Sequence, residues 1–175
     1  MMNNHDCRKN CEERRATTEK PYRFLDSGLS NIYLVGIRYW VCKNCGKQSA
    51  EIPALGQLLS VMAKSVVMKP GLLNGEEIRF LRKRVGKKAA DFADLVNKTP
   101  EHFSKLENDQ LPLQEDTDKL IRLTYGMLAG DEKLLLSIMK KVEEWLKSIR
   151  GQYTSDVTFK KQSGNWAPLK RAVAA

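Results

Sequence analysis

The sequence predicts an α+β protein: a small cysteine-bearing antiparallel β domain, a linker helix, an all-α domain of short helices and an additional C-terminal helix. Three observations predict this. All four cysteines, Cys7, Cys11, Cys42 and Cys45, lie in the first 45 of 175 residues. Between the two pairs, Tyr22, Phe24 and the runs 32–35 and 37–41 are aromatic and β-branched, as strands are. From Ile52 onward, apolar residues recur at helical spacing instead.

The β domain is expected over 1–52. Its apolar runs are separated by Asp26, Ser27 and Gly28, a turn composition, and one small antiparallel sheet is the expected result. Tyr22, Tyr33, Tyr39 and Trp40 are read as packing residues of this sheet rather than as a docking surface. Two close cysteine pairs in a reducing compartment suit a metal better than disulfides, because thiolates from two turns close a tetrahedral Zn(II) site. Cys42, Lys43, Asn44, Cys45 and Gly46 form a regular knuckle, with Lys43 and Lys47 offsetting thiolate charge. The Cys7 to Cys11 spacing is one residue longer and lacks the glycine, which makes that knuckle irregular. His5 is read as a terminal side chain rather than a substitute ligand. Four sulfurs leave no open coordination position, so the expected zinc is structural and not catalytic.

Leu55, Leu58, Leu59, Met62, Val66 and Val67 give an amphipathic linker helix within 53–71. Lys69, Pro70 and Gly71 end it and mark the expected domain boundary, where interdomain rotation could be absorbed.

The all-α domain is expected over 72–130. Asn74 and Glu77 have capping-box spacing, Ile78, Leu81 and Val85 make the apolar stripe that follows, and Gly86 supplies the stop. Ala89, Ala93 and Val96 form a narrower stripe over which another helix can cross closely, with Asn97 as its C-cap. Thr99 followed by Pro100 starts a third helix, anchored inward by Phe103 and Leu106. Glu101, His102, Ser104 and Lys105 are left on the outer side, an arrangement by which a short helix offers polar groups to a major groove. A further helix from Asp116 or Thr117 carries Leu120, Ile121, Leu123, Thr124, Met127 and Leu128 into the core and ends at Gly130.

In 131–150, Leu135, Ile138, Met139, Val142, Trp145, Leu146 and Ile149 line one side of a C-terminal helix. Packing onto the same subunit and forming a subunit interface are equally open to it. Residues 151–175 lack sustained periodicity and contain Lys160, Lys161, Lys170 and Arg171, so a mobile basic tail is expected.

Thirty Lys and Arg against 21 Asp and Glu give a formal charge of +9, compatible with a nucleic-acid partner. No apolar run approaches the roughly 20 residues that span a bilayer. The opening segment is polar without the apolar stretch of a secretion signal, and a cytoplasmic location is expected. Catalysis is not expected. The two histidines, His5 and His102, are far apart in sequence, and no phosphate-cradling loop, nucleophile elbow or convincing carboxylate pair appears.

The segments 77–83, 89–93 and 103–108 resemble Xre-type, lambda-repressor-like helix-turn-helix repressors over about sixty residues. The resemblance implies that Arg82 pairs with Glu107, tying the first helix to the end of the recognition helix. It puts base-reading positions at Pro100, Glu101 and Lys105, with Thr99 and Asn108 near the sugar-phosphate backbone. Lys105 can donate to guanine, Glu101 can accept from cytosine, and Lys87, Lys88 and Lys98 would meet phosphates. Lys88, Ala89 and Pro100 depart from the family pattern, so base preference does not carry over with the fold. The order of modules over 1–128 resembles the MqsA (YgiT-type) zinc-finger antitoxins. This wider resemblance implies a homodimeric sequence-specific repressor of a palindromic operator, which also neutralises an RNA-cleaving toxin through its N-terminal domain and autoregulates the shared operon. The alternative is a stand-alone zinc-containing helix-turn-helix regulator with no toxin partner.

Overall fold

The computed structural model describes residues 10–148, 157–162 and 164–168; among these the chain is α+β, with six α-helices and two sheets of three and four strands. The strands are β1 (Cys11–Arg15), β2 (Tyr22–Arg23), β3 (Ile32–Val35), β4 (Arg38–Cys42), β5 (Gln48–Ala50), β6 (Val157–Gln162) and β7 (Asn165–Pro168). The helices are α1 (Leu55–Met68), α2 (Gly75–Arg84), α3 (Ala89–Leu95), α4 (Pro100–Glu107), α5 (Glu115–Leu128) and α6 (Glu132–Ser148). Two compact units divide the chain, and no helix of the described residues is long and apolar enough to cross a membrane.

The first unit takes the described residues of Met1–Phe24, Asn31–Leu58 and Asp156–Ala175. It contains two sheets where the sequence suggests one. The first is antiparallel with order β1, β4, β5; the second has order β2, β3, β6, β7. Consecutive strands β3 and β4 fall into different sheets because the chain turns at Gly36, whose φ of 80° is a left-handed conformation that favours glycine. Strand β1 reads CEERR, without apolar alternation, and its last four residues are exposed. Backbone pairing with β4, not a buried side-chain face, makes it a strand.

The expected basic tail is corrected over 157–168, where β6 and β7 form an antiparallel hairpin and β6 runs parallel to β3. Phe159 is fully buried, and Trp166 is buried with its indole N–H donating to the Pro53 carbonyl at 3.0 Å. Two apolar anchors seven residues apart give no periodic signal, which is why sequence spacing does not show the hairpin. Lys170 and Arg171 lie outside the described residues.

The second unit takes the described residues of Leu25–Ser30 and Leu59–Ser155. The division therefore falls within α1, rather than at the expected Pro-Gly corner. Helix α1 buries Leu58, Met62, Ala63, Val66 and Val67 along one stripe. Helix α2 starts with the capping box the sequence predicts: Asn74 accepts from the Glu77 N–H at 2.9 Å, and Glu77 accepts from the Asn74 N–H at 2.8 Å. Burial pushes the Glu77 carboxyl above the usual carboxylate range, and Lys69, 2.7 Å away, pulls against it.

The corner after α1 is not a free hinge. Arg122 of α5 is 1% exposed, and all five of its N–H donors are used. Its Nε and Nη2 donate to Asp118 at 2.8 and 3.2 Å, Nη1 to the carbonyls of Val67 and Lys69 at 2.6 and 3.1 Å, and Nη2 to that of Gly71 at 2.6 Å. Asp118 also accepts from the Leu73 N–H at 2.9 Å. Carbonyls left over at the end of α1 are thereby satisfied inside the protein, where an unmade bond would be costly.

Helix α6 packs on α5 of the same chain. A Cβ at Gly126 would stand 2.9 Å from Ile138 Cδ1, so the glycine permits the close approach. The buried side of α6 carries Leu134 and Ile138, whereas Leu136 and Met139 are half or more exposed. On α5 the buried residues include Ile121, Arg122, Thr124 and Tyr125, while Leu120, Met127 and Leu128, expected inside, are exposed. The buried stripe lies about one position round each helix from where apolar counting places it; on α5 this is because Asp118 and Arg122, with internal partners, take up core positions. Trp145, Leu146 and Ile149 side chains lie outside the described residues.

Candidate nucleic-acid interface and cysteine cluster

Helix α4 is short, and its geometry comes from its ends. At the start, Thr99 has extended backbone, its hydroxyl accepts from the His102 N–H at 3.2 Å, and Pro100 occupies the first turn. One turn in, Phe103 is fully buried, with its ring 5.5 Å from that of Phe92 on α3. Leu106 is buried on the same side.

At the other end α4 is tied to α2 by charge. Arg82 Nε and Nη2 donate to the two carboxylate oxygens of Glu107 at 2.7 and 2.9 Å, a bidentate pair of nearly buried groups. The resemblance implies this bond, and the structure contains it. The third branch, Arg82 Nη1, donates to the Lys87 carbonyl at 2.9 Å and so fixes the turn after α2. Sequence reading missed two further ties. Arg79 Nη2 donates to the Glu107 carbonyl and to Asn108 Oδ1, the latter at 2.7 Å. Gly75 N–H donates to Asp109 Oδ1 at 2.7 Å, and a Cβ at Gly75 would collide with the Glu107 carbonyl. Glycine at the helix start, followed at a distance by a carboxylate just past another helix end, is the signal that could have found it.

The three helices α2, α3 and α4 stop in the same way. Gly86, Asn97 and Asp109 have φ of 68°, 51° and 53°. Each is followed by a residue whose N–H returns to the carbonyl five positions back: Lys87 to Arg82, Lys98 to Ala93, Gln110 to Lys105. This is the closing bond of a Schellman motif. The C-cap of α3 is Val96, and Asn97, expected as the cap, is the left-handed residue just after it.

With the inner side fixed, the outer side is open. Lys88, Thr99, Pro100, Glu101, His102, Ser104, Lys105 and Asn108 are exposed, and Lys87 and Lys98 are half-buried. Every residue singled out on and around this helix is therefore at the surface. Lys88, at the start of α3, makes no side-chain cap, consistent with its departure from the Ser or Thr that usually caps there. Asn108 is not loose: its amide also donates to the Ser104 carbonyl at 2.8 Å.

At one end of the three-stranded sheet, Cys11 and Cys42 are directly opposite on β1 and β4. The Cys42 N–H donates to the Lys47 carbonyl at 2.9 Å and the Gly46 N–H to the Cys42 carbonyl at 2.8 Å, closing the Cys42 to Gly46 knuckle with Gly46 at φ 72°. Asn10 and Asn44 side chains bond across the same end at 2.8 Å. Cys42 is buried, Cys11 half-buried and Cys45 exposed. Among the described residues, no group of three His, Cys, Asp or Glu is gathered closely enough to hold an ion. Cys7 and His5 lie outside the described residues. Cysteine sulfurs on a glycine-eased knuckle and on the strand facing it are of the soft donor type that would suit zinc.

Comparisons with protein-family models, characterised proteins and solved structures find nothing that matches this chain.

Proposed function

We propose that the chain is a sequence-specific DNA-binding repressor whose helical unit reads the major groove through α4, in a helix-turn-helix formed with α3. The observation that carries this reading is the two-ended fixation of α4. Thr99 and Phe103 hold one end, the Arg82–Glu107 pair holds the other, and Thr99, Glu101, His102, Ser104, Lys105 and Asn108 are left exposed between them. A recognition element needs that combination, since a base-reading side chain is useful only on a backbone that does not move. Lys105 would donate to guanine O6 and N7, and Glu101 would accept from cytosine N4. Lys87, Lys88 and Lys98 would neutralise phosphates.

In this reading the functional form is a homodimer on a palindromic site, with recognition helices about 34 Å apart. Cys7, Cys11, Cys42 and Cys45 would hold one structural zinc that supplies folding energy to the small β unit, with no catalytic part. The role as antitoxin, with an RNA-cleaving toxin bound by the β unit, is supported by the family resemblance alone. Co-purification with the product of the adjacent gene distinguishes it from a stand-alone regulator.

Selection of duplexes from a random pool by the full-length chain tests DNA reading. An enriched palindrome is expected, and Lys105→Ala should cost about 1–3 kcal/mol and relax preference at one base pair per half-site. Lys88→Ala should weaken all sequences alike and reduce the salt slope by about one. Lys105→Ala with unchanged affinity and unchanged base preference would remove α4 from the interface.

A further inference from the structure

The first sheet places two like charges opposite each other. In its register Arg15 lies directly opposite Arg38. The neighbouring pair is hydrogen-bonded, with the Ala16 N–H donating to the Ile37 carbonyl at 2.9 Å, which makes 15 and 38 a non-hydrogen-bonded pair. Side chains approach most closely at such positions, and like charges there repel. Arg38 is compensated, with Glu51 at 3.2 Å and Glu13 at 3.9 Å. Arg14, next along the strand, is turned to Glu12 at 3.1 Å. Among the described residues the Arg15 guanidinium makes no ion pair. These groups border a cleft of about 620 Å³, whose lining includes Glu13, Arg15, Ile37, Arg38, Glu51 and Pro53. That is the size of a small-molecule site.

We infer that this cleft binds a small organic phosphate, whose phosphate group bridges Arg15 and Arg38 while its remaining part lies along the cleft toward Pro53. A carboxylate is satisfied by one guanidinium fork; two arginines paired across neighbouring strands suit a dianion with three terminal oxygens, once Arg38 turns from Glu13 and Glu51. Such a ligand converts the Arg15–Arg38 repulsion into two charge-assisted contacts. The site belongs to the β unit and stands independently of DNA reading by α4.

The test is titration of the full chain with phenyl phosphate, by calorimetry or NMR at constant ionic strength. Saturable binding is expected. Arg15→Gln should weaken it at least tenfold while raising the melting temperature of the unliganded chain, since a like-charge contact is removed. Glu51→Gln should tighten binding by releasing Arg38. Both positions are exposed, and circular dichroism checks that each variant keeps its fold. Binding no stronger than that of phenylsulfonate, or equal affinity in wild type and Arg15→Gln, overturns the proposal. So does a duplex DNA that displaces phenyl phosphate from the Lys105→Ala chain, since the cleft would then take nucleic-acid backbone.

Discussion

The two units solve the problem of burying polar groups in opposite ways. In the helical unit, charged side chains go inside because each finds its partners there: Arg122 fills all five donors, Glu107 takes Nε and Nη2 of Arg82, and Glu77 closes a capping box while facing Lys69. In the β unit, charge stays at the surface: the ion pairs of Arg14 and Arg38 have side chains about half exposed, and such pairs contribute little to stability. Its strands are two to six residues long, and its buried anchors include Leu34, Phe159 and Trp166. Units of this size are those in which a bound metal, if present, adds most to stability.

The largest expected effect on this contrast between the units is that of a metal chelator. Small zinc domains gain on the order of 10 kcal/mol from their ion, so a chelator should unfold the β unit while amide exchange in the helical unit stays slow. Zinc analysis of purified protein should give about one ion per chain and a large loss in Cys42→Ser. A chain that purifies without zinc and keeps its β-unit protection would remove the metal from the argument.

Next in size is Arg122→Ala. It leaves Asp118 buried without its partner and strips bonds from three carbonyls, a change that costs about 3–5 kcal/mol for a buried pair broken on one side. Chemical denaturation measures it. A loss below about 1 kcal/mol would mean that the helical unit does not depend on its internal polar bonds, and the contrast with the β unit would fail.

The smallest effect is in pH. Because burial raises the folded-state pKa of Glu77 above its ordinary 4.5, the folded chain binds that proton more tightly than the unfolded chain. The stability this contributes is fully present below 4.5 and is lost as pH rises through the raised value. Glu77→Gln keeps an oxygen to accept from the Asn74 N–H but cannot ionise. Its melting temperature should therefore vary less than that of wild type across the window just above pH 4.5. An identical pH profile would show that Glu77 is not the group that titrates.

Helix starts and stops were the most legible part of the sequence. Asn74 with Glu77, Gly86, Asn97, and Thr99 with Pro100 act on backbone groups within a few residues of themselves, so neighbouring chemistry is enough to read them. The outer row of α4 was legible for the same reason, as the complement of Phe103 and Leu106. The Arg82–Glu107 bond was available only through resemblance, because nothing local connects residues 25 positions apart.

What the chain by itself determined, then, is where α2, α3 and α4 begin and end and which side of α4 faces outward. Tertiary structure alone decided the split of the strands into two sheets, the return of 157–168 to pair with β3, the locking of the α1 corner by Arg122 and the facing of Arg15 by Arg38. Each of these joins groups distant in sequence through backbone pairing or buried charge, and neither leaves a periodic apolar signal. The sequence carries the local bonds in its spacing; the long-range ones exist only once the chain has closed on itself.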